Sequence, residues 1–257
     1  MSGKEGGKPY GVEWSAAAQE IGSDGDRIRQ NAFLEEIYLD FYARILAEIP
    51  ASAFPRTLEL GSGGGFLRQL APHVVTSEPV EVRGVARVVD ACELSAAFGP
   101  GELDAICAVN VFHHLPDVTR FLHGAERVLR PAGRLVLIEP YYTPVGQWFH
   151  RALHHEPYVN DPSFWGIVGQ GRLAGANTRL PTSVFRDSDA RFGREFPALR
   201  IVRRQPFHKW LYLLSGGLRL NTRVPRFVAR RLVEVDRRTV TGNDVFAIFA
   251  VIVVERV

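Results

Sequence analysis

Short strand-like runs alternate with helix-like segments through the middle of the chain, and this alternation limits the possible folds more than any other feature. Strand–helix alternation with short loops is typical of βαβ units, which build a parallel sheet covered by helices on both faces. In such a sheet, ligands bind beyond the carboxyl ends of the strands. The runs expected to form strands are Thr57–Leu60, Val74–Ser77, Arg87–Val89, Leu103–Val109 and Arg134–Ile138, with a capped helix predicted at Asp117–Leu129.

Further elements are predicted on both sides of this alternation. Apolar residues recur with helical spacing near Ala16–Glu20 and over Arg27–Ile49. After the alternating region, Arg200–Arg204 and Val245–Glu255 are expected to pair as antiparallel strands and finish the sheet. The stretch from 140 to 197 is rich in aromatic residues and histidines, and because long loops in compact domains are usually functional, we expect it to cap a ligand pocket.

Composition and charge disfavour several classes of protein. Apolar residues make up 46% of the chain and charged residues 23%, which is ordinary for a soluble globular protein. A net charge of only +3 argues against nucleic acid as the main partner. The two cysteines, Cys92 and Cys107, have no metal-like spacing, and the longest apolar run, residues 245–254, is too short to span a bilayer as a helix. We therefore expect a soluble, cytoplasmic protein with no integral membrane segment.

A glycine-rich loop follows the first predicted strand, at the edge of the sheet where a ligand would meet the backbone. In LELGSGGGFLRQL, residues 58–70, four glycines fall among five residues. A dinucleotide site requires Gly-x-Gly-x-x-Gly, but counting from Gly61 the third glycine would fall on Phe66. The loop therefore fits a nicotinamide-dependent oxidoreductase poorly, and a glycine turn that binds no ligand is the plain alternative.

The residues around this loop resemble the first motif of the class I S-adenosylmethionine-dependent methyltransferases, in which an acid is followed by glycines at alternate positions. Here the motif reads Glu59-Leu-Gly61-Ser-Gly63-Gly-Gly65. The resemblance continues, over roughly residues 55–140, in VVTSEP, VVDACEL, LDAICAVNVFHHLPD and LHGAERVLRPAGRLVLIEP. These motifs are similar to those of the UbiE-like and small-molecule enzymes of the class, and their order and spacing make the combination specific.

The resemblance implies a fold and a domain organisation. The expected fold is α/β, a Rossmann-like, doubly wound and mostly parallel seven-stranded sheet with an antiparallel last strand. Residues 1–54 are expected to form an N-terminal tail and a helical lid over the cofactor. Residues 55–257 would form the methyltransferase domain, with substrate-cap insertions at about 140–197 and 208–243.

The resemblance also implies S-adenosylmethionine as the cofactor, and the chemistry of the residues suits this ligand. An acid at Glu59 can complement its ammonium group, and bare backbone at Gly61 and Gly63 lets its methionyl and ribose parts approach. Glu78 follows the second strand, where an acid can accept the ribose hydroxyl protons. The residues expected to bind the cofactor are Glu59, Gly61, Gly63, Glu78, Pro79, Asp90, Ala91, Asn110 and Val111, of which Asp90 and Ala91 would face the adenine.

Candidate catalytic residues follow the fourth and fifth strands. In related small-molecule methyltransferases, including sugar O-methyltransferases, residues matching His113, His114 and Glu139 line the acceptor pocket. The resemblance implies that one of the two histidines is the catalytic base and that Glu139 orients it or the acceptor. Which histidine faces the substrate is open, and either could instead pack internally. No metal site is expected, because His154-His155-Glu156 on one short stretch lacks the remote partners that would complete a coordination sphere.

The implied activity is methyl transfer to a small organic acceptor, with oxygen as the favoured acceptor atom and with carbon and nitrogen open. One alternative is a protein that binds S-adenosylmethionine without transferring methyl, such as a cyclase-like catalyst or a regulatory binder. The other is the nicotinamide-dependent oxidoreductase, which Phe66 and the acid at Glu59 disfavour. The sequence makes no prediction about the oligomeric state.

The region from 200 to 238 carries eleven basic residues against two acids. A helix is predicted here, and its apolar residues could share one face with arginines largely opposite. The residues of that face are Phe227, Val228, Leu232 and Val235. The helix is either an ordinary packed helix with a solvated face or a basic amphipathic contact with an anionic membrane or a lipid-linked acceptor.

Overall fold

The sheet at the centre of the molecule is parallel over its first five strands and ends in an antiparallel pair. The computed structural model describes residues 14–63, 66–144, 147, 156–169, 175–207, 211–212, 224–238, 245 and 247–257. The strands in these ranges are β1 (Thr57–Leu60), β2 (Val75–Glu78), β3 (Arg87–Val88), β4 (Leu103–Val109), β5 (Leu129–Pro140), β6 (Leu199–Phe207) and β7 (Phe249–Arg256). Their order across the sheet is β3-β2-β1-β4-β5-β7-β6. β7 runs antiparallel to both β5 and β6. Together with the strand order, this confirms the expected doubly wound, seven-stranded sheet.

Helices cover both faces of this sheet. They are α1 (Trp14–Gln30), α2 (Ala32–Glu48), α3 (Leu67–Leu70), α4 (Leu94–Ala97), α5 (Val118–Val128), α6 (Leu180–Thr182), α7 (Asp189–Glu195) and α8 (Arg226–Arg238). One apolar cluster packs α4, α5, α6 and α7 on one face of the sheet. A second packs α1, α2, α3 and α8 on the other face. None of the helices in the described ranges is long and apolar enough to cross a membrane.

The predicted strands are confirmed, with differences at their ends. β1 and β4 have the predicted bounds, because a sheet covered on both faces buries every position of its central strands. β5 begins at Leu129, before the predicted start, because Leu129 already pairs with Leu103 of β4; the register then shifts, and Arg134 pairs with Ala105. β7 begins at Phe249, later than the predicted Val245.

The helix α2 packs directly on the sheet. Asn31 caps its first turn, because its side-chain oxygen accepts hydrogen bonds from the backbone N–H groups of Phe33 and Leu34 at 3.1 and 3.3 Å. Ile37 and Phe41 are fully buried in the cluster that covers this face. α2 is therefore a core helix, while the lid function and the boundary at residue 54 stay predictions. Most of the predicted tail, residues 1–13, lies outside the described residues.

The face of α8 that packs against α2 is not the predicted apolar one. Ala229 and Val233 are buried, whereas Phe227 and Val235 are 73% and 58% exposed. Ala229 and Val233 belong to the same apolar cluster as the buried residues of α2, so the packed face is offset from the apolar stripe read from the sequence. The helix is therefore an ordinary packed helix, as one of the two interpretations expected, but the packed residues are Ala229 and Val233 and not those of the predicted face. A contact of the region 200–238 with an anionic membrane or a lipid-linked acceptor stays a prediction.

A charge cluster joins the amino ends of the central strands. The buried carboxylate of Asp104, in β4, accepts hydrogen bonds from the backbone N–H of Arg56 at 2.8 Å and from its guanidinium at 2.8 and 3.1 Å. Nε of Arg130 donates to the same carboxylate at 2.7 Å. The hydrogen bonds from Arg56 hold the pKa of Asp104 well below its usual range. This cluster lies at the edge of the sheet opposite to the carboxyl ends of the strands.

We predict that Asp104→Asn lowers the free energy of unfolding by about 1–3 kcal/mol, because it removes the ionised acceptor of two guanidinium groups. Denaturant unfolding measures this change. Affinity for S-adenosylmethionine should stay unchanged, since Asp104 lies at the amino ends of the strands. A variant with wild-type stability would contradict the structural role given to this carboxylate.

Candidate active site

The loop after β1 brings bare glycine backbone close to the loop after β4. Gly61 has a φ of +66°, and a Cβ at this position would lie 2.3 Å from Cγ2 of Val111. Gly63 has a φ of +55°, and a Cβ there would meet no described atom within 4 Å. Gly61 is therefore required by its contact with Val111, whereas Gly63 borders open space. Residues 64 and 65, which complete the glycine run, lie outside the described residues.

Glu59 is an acid buried in the middle of the sheet, with only 2% of its surface exposed. Its Oε2 has no hydrogen-bond partner among the described residues. Burial raises the pKa of this carboxyl to about 8, and the charge of Glu78 adds to the rise. Interactions with the side chains of Ser62 and Tyr42 partly oppose it. A buried acid with an unused oxygen destabilises the fold, and such groups cluster at functional sites.

Glu78 ends β2 beside the glycine loop. Its Oε1 accepts a hydrogen bond of 2.6 Å from the backbone N–H of Gly63. Its backbone carbonyl accepts the N–H of Val89 at 2.8 Å, which holds the end of β3 against β2. Glu78 therefore links the loop after β1 to the ends of the next two strands.

The predicted adenine residues follow β3 at this same edge. Oδ1 of Asp90 accepts the N–H of Cys92 at 2.8 Å and so caps the short 3-10 turn Ala91–Glu93. Ala91 is buried, and Pro79, after β2, is half-buried. These residues lie at the edge where the sequence predicts them, at the carboxyl ends of β2 and β3.

Asn110 leaves β4 in a left-handed backbone conformation, with a φ of +56°. This conformation is uncommon for residues other than glycine and marks turns and functional sites. Oδ1 of Asn110 is buried and has no hydrogen-bond partner among the described residues. Its backbone N–H donates to the carbonyl of Ile138 at 2.9 Å, which holds the loop against β5. The next residue is Val111, which contacts Gly61.

Glu139 is a fully buried carboxylate at the end of β5, and its side chain accepts hydrogen bonds from the loop after β4. Oε1 accepts the backbone N–H groups of Val111 and Phe112, both at 2.8 Å. Oε2 accepts Nδ1–H of His113 at 2.6 Å. Glu139 therefore orients His113, which is one of the two functions predicted for it.

The two histidines occupy the 3-10 turn Phe112–His114, and their rings meet a residue from the cap. Nδ1 of His114 donates to the carbonyl of Gly175 at 3.0 Å. Nε2 of His113 lies 3.3 Å from Oε2 of Glu156, and Nε2 of His114 lies 3.8 Å from Oε1 of the same carboxylate. The cap is held in place by the N–H of Asn177, which donates to the carbonyl of His113 at 2.9 Å.

The two imidazoles have opposite pKa shifts. Burial alone would lower the pKa of His113, but the charge and hydrogen bond of Glu139, followed by those of Glu156, raise it to about 10. Burial and the charge of His113 lower the pKa of His114 to about 4, against the opposing charge of Glu156. Near pH 7 the free protein therefore carries a positive charge on His113 and a neutral ring at His114.

Two residues of the site were not predicted from the sequence. Tyr42 of α2 is buried beside Glu59, and burial together with the charge of Glu59 raises the pKa of Tyr42, although nothing in the spacing of α2 distinguishes Tyr42 from a core residue. Glu156 was considered only with His154 and His155, which lie outside the described residues. The adjacent aromatic and histidine-rich segment indicated a functional cap, but no linear pattern joins Glu156 to His113.

Comparison with known proteins identifies the family. A family model described as a methyltransferase domain matches residues 29–167, which is more than half of the chain. The chain belongs to this methyltransferase family. The predicted membership of the S-adenosylmethionine-dependent methyltransferases is confirmed.

Curated relatives match part of the chain. The 27-O-demethylrifamycin SV methyltransferase of Amycolatopsis mediterranei (strain S699) is 30% identical over 132 residues, which cover 42% of this chain and 47% of that protein. The ubiquinone biosynthesis O-methyltransferase of Xanthomonas oryzae pv. oryzae (strain PXO99A) is 30% identical over 111 residues, covering 35% of this chain and 44% of that protein. The chain thus matches about half the length of these relatives.

A solved structure supports the fold. A chain in the complex between the Haloferax volcanii Trm112 methyltransferase activator and a methyltransferase superposes with a TM-score of 0.50 and 15% identity. The match covers 95% of each chain. It therefore extends over the sheet and the helices on both of its faces.

The described residues fit S-adenosylmethionine. Glu59 and Asn110 each have a buried oxygen with no partner among the described residues, next to the glycine loop. The position that a Cβ of Gly63 would fill is open. An unused carboxylate oxygen suits the ammonium of the cofactor, an amide oxygen suits a hydrogen-bond donor, and open space over a glycine suits close approach of a ligand.

We predict that Glu59→Gln raises the melting temperature at pH 8, because the wild-type carboxyl has a folded-state pKa of about 8 and an ordinary value of 4.5 when unfolded. The native state then holds a proton that the unfolded chain releases, so wild-type stability falls as the pH rises from the unfolded to the folded pKa. A gain of 1 kcal/mol would raise the melting temperature by roughly 2–4 °C.

Calorimetric unfolding at pH 4.5 and at pH 8 tests this linkage. The advantage of Glu59→Gln should be smaller at the lower pH, where about half of the unfolded chains still hold the proton, and larger at the higher pH. An equal difference at both values would contradict the raised pKa of Glu59.

Proposed function

We propose that the chain transfers the methyl group of S-adenosylmethionine to an oxygen atom of a small organic acceptor. The observation that carries the proposal is the contact between Gly61 and Val111, which joins a loop suited to the donor to a polar cluster suited to an acceptor. The names of the two curated relatives, both O-methyltransferases, support oxygen as the acceptor atom. A cytoplasmic location and the absence of a nucleic-acid partner stay predictions.

The residues after β1, β2 and β3 bind the donor. S-adenosylmethionine supplies a methyl group on a sulfonium centre, which makes it reactive toward a nucleophile. Glu59 takes the ammonium of the donor with its unused oxygen. Glu78 fixes Gly63 and takes the ribose hydroxyls, while Asp90 and Ala91 face the adenine.

The residues after β4 and β5 orient the acceptor. Methyl transfer requires a nucleophile aligned with the S–CH3 bond, so positioning supplies much of the rate. His113, His114 and Glu156 meet at the end of β4, where the neutral ring of His114 takes the proton of the acceptor hydroxyl at Nε2 and the charged ring of His113 stabilises the resulting oxygen. Glu139 is a positioning residue, because its hydrogen bonds are made to His113 and to the backbone of its loop.

Calorimetry followed by mass spectrometry tests the function. The purified protein is titrated separately with S-adenosylmethionine, with its demethylated product and with NADH. It is then incubated with donor carrying a deuterated methyl group and panels of hydroxyl, amine and activated-carbon acceptors. We expect binding of the first two ligands, none of NADH, and label on a hydroxyl product. Donor binding with no labelled product in any panel would overturn methyl transfer in favour of a binding protein.

We predict that Gly63→Val abolishes donor binding, because its side chain would fill the open space beside Glu78. Calorimetry measures the loss. Gly101→Val is the matched control: Gly101 has a φ of +67°, so the same substitution strains the backbone equally, but it lies in the loop before β4 at the opposite edge. Wild-type donor affinity in the Gly63 variant would disprove the assignment of this loop.

Changing both His113 and His114 to alanine should spare donor binding and lower turnover by ~10²–10⁴, the usual effect of losing acid–base assistance. Steady-state kinetics with the labelled acceptor measure the turnover. His123→Ala is the control, because this histidine is exposed on α5 and pairs with Glu126 at 3.5 Å. Unchanged turnover in the double variant would mean that another group assists the acceptor.

A further inference from the structure

Three side chains of the types that bind transition metals converge at the end of β4. Ligand atoms of His113, His114 and Glu156 all lie within 4.8 Å of one another. In the part of the chain that the structure describes, no other group of histidine, cysteine and acidic side chains meets this criterion. His113 is buried, and the other two are half-buried, so the cluster is shielded yet reachable from one side.

Both imidazoles are held in the orientation that metal-bound histidines adopt. Nδ1 of His113 donates to the Glu139 carboxylate at 2.6 Å, and Nδ1 of His114 donates to the carbonyl of Gly175 at 3.0 Å. A metal-ligating histidine almost always donates its other N–H to a carboxylate or a backbone carbonyl, which fixes the ring. With both Nδ1 atoms committed in this way, the Nε2 atoms are the ones that face Glu156.

Two of the separations are close to those inside a coordination shell. Two ligand atoms bound to one tetrahedral ion at zinc-like distances lie ~3.4 Å from each other. Nε2 of His113 is 3.3 Å from Oε2 of Glu156, and Nε2 of His114 is 3.8 Å from Oε1. The whole set lies within 4.8 Å, so an ion between the three groups requires the side chains to move closer together. The carboxylates of Glu139 and Glu156 together offset its two positive charges.

We propose that His113, His114 and Glu156 bind a divalent transition-metal ion and leave a coordination position open for the acceptor oxygen. Two imidazoles and one carboxylate suit ions such as Zn²⁺ or Fe²⁺, whereas Mg²⁺ and Ca²⁺ prefer oxygen ligands alone. Three protein ligands with an open position are typical of catalytic metal sites. An acceptor hydroxyl bound to the ion would lose its proton more readily. This role rests on the proposed function, but the binding of the ion does not.

A proton on Nε2 of His113 is the competing occupant of this position. It would complete an ion pair between His113 and Glu156 with the same geometry and no metal. The two occupants are distinguished by direct measurement of metal binding, because the ion pair alone gives no high-affinity site.

The test uses the full chain after treatment with a chelator and its removal. Zn²⁺ is titrated in competition with a chromophoric chelator, and Co²⁺ is added separately to record its visible spectrum. We expect one equivalent of Zn²⁺ to bind, and the Co²⁺ protein to show absorption bands of a site with nitrogen and oxygen ligands. Glu156→Gln and His114→Ala should each weaken Zn²⁺ binding by at least ~10-fold. Loss of a residue that only hydrogen-bonds to a metal ligand already costs about that much affinity, so loss of a ligand should cost no less.

His123→Ala is the matched control, since it removes an exposed histidine from α5 and should leave Zn²⁺ binding unchanged. Thermal melts confirm that each variant is folded, and His114→Ala provides a second test should Glu156→Gln fail to fold. Absence of a one-equivalent site, binding of Mg²⁺ alone, or wild-type Zn²⁺ affinity in folded Glu156→Gln or His114→Ala would overturn the proposal. Calorimetry with S-adenosylhomocysteine on the same samples separates this failure from failure of the proposed function.

Discussion

The buried carboxylate of Glu139 holds the two halves of the site in one arrangement. It accepts the backbone N–H groups of Val111 and Phe112 and the ring N–H of His113, and so ties the end of β5 to the loop after β4. Val111 in turn packs against Gly61, in the loop expected to bind the donor. One carboxylate therefore fixes both the loop that packs against the proposed donor site and His113, which belongs to the proposed acceptor site. Such preorganisation is what a reaction dominated by positioning requires.

Much of the fold was predictable, because apolar periodicity and strand–helix alternation are local properties. β1 and β4 have the predicted bounds, and the antiparallel end of the sheet is as predicted. The packing of α8 was not predictable from its own sequence. Ala229 is buried in the cluster shared with α2, whereas Phe227 is left exposed, which a rule based on apolar spacing alone does not anticipate.

The donor half of the site was more predictable than the acceptor half. Glu59, Gly61, Gly63 and Glu78 could be grouped in advance because the carboxyl ends of neighbouring parallel strands meet at one edge, and the structure brings them together there. Glu156 could not, because it comes from the cap, which has no periodic pattern, and reaches His113 only through tertiary contacts such as that of Asn177. The spacing of side chains along the chain therefore does not indicate the proposed metal site.

The central claim is that Glu59 and the glycine loop form the binding site of the methyl donor. A crystal structure of the protein with S-adenosylhomocysteine tests it most directly, because the product has the same ammonium, ribose and adenine groups. The account predicts the ammonium within hydrogen-bond distance of Oε2 of Glu59 and the ribose beside Glu78. A product molecule bound elsewhere, with Oε2 of Glu59 still unpaired, would contradict it.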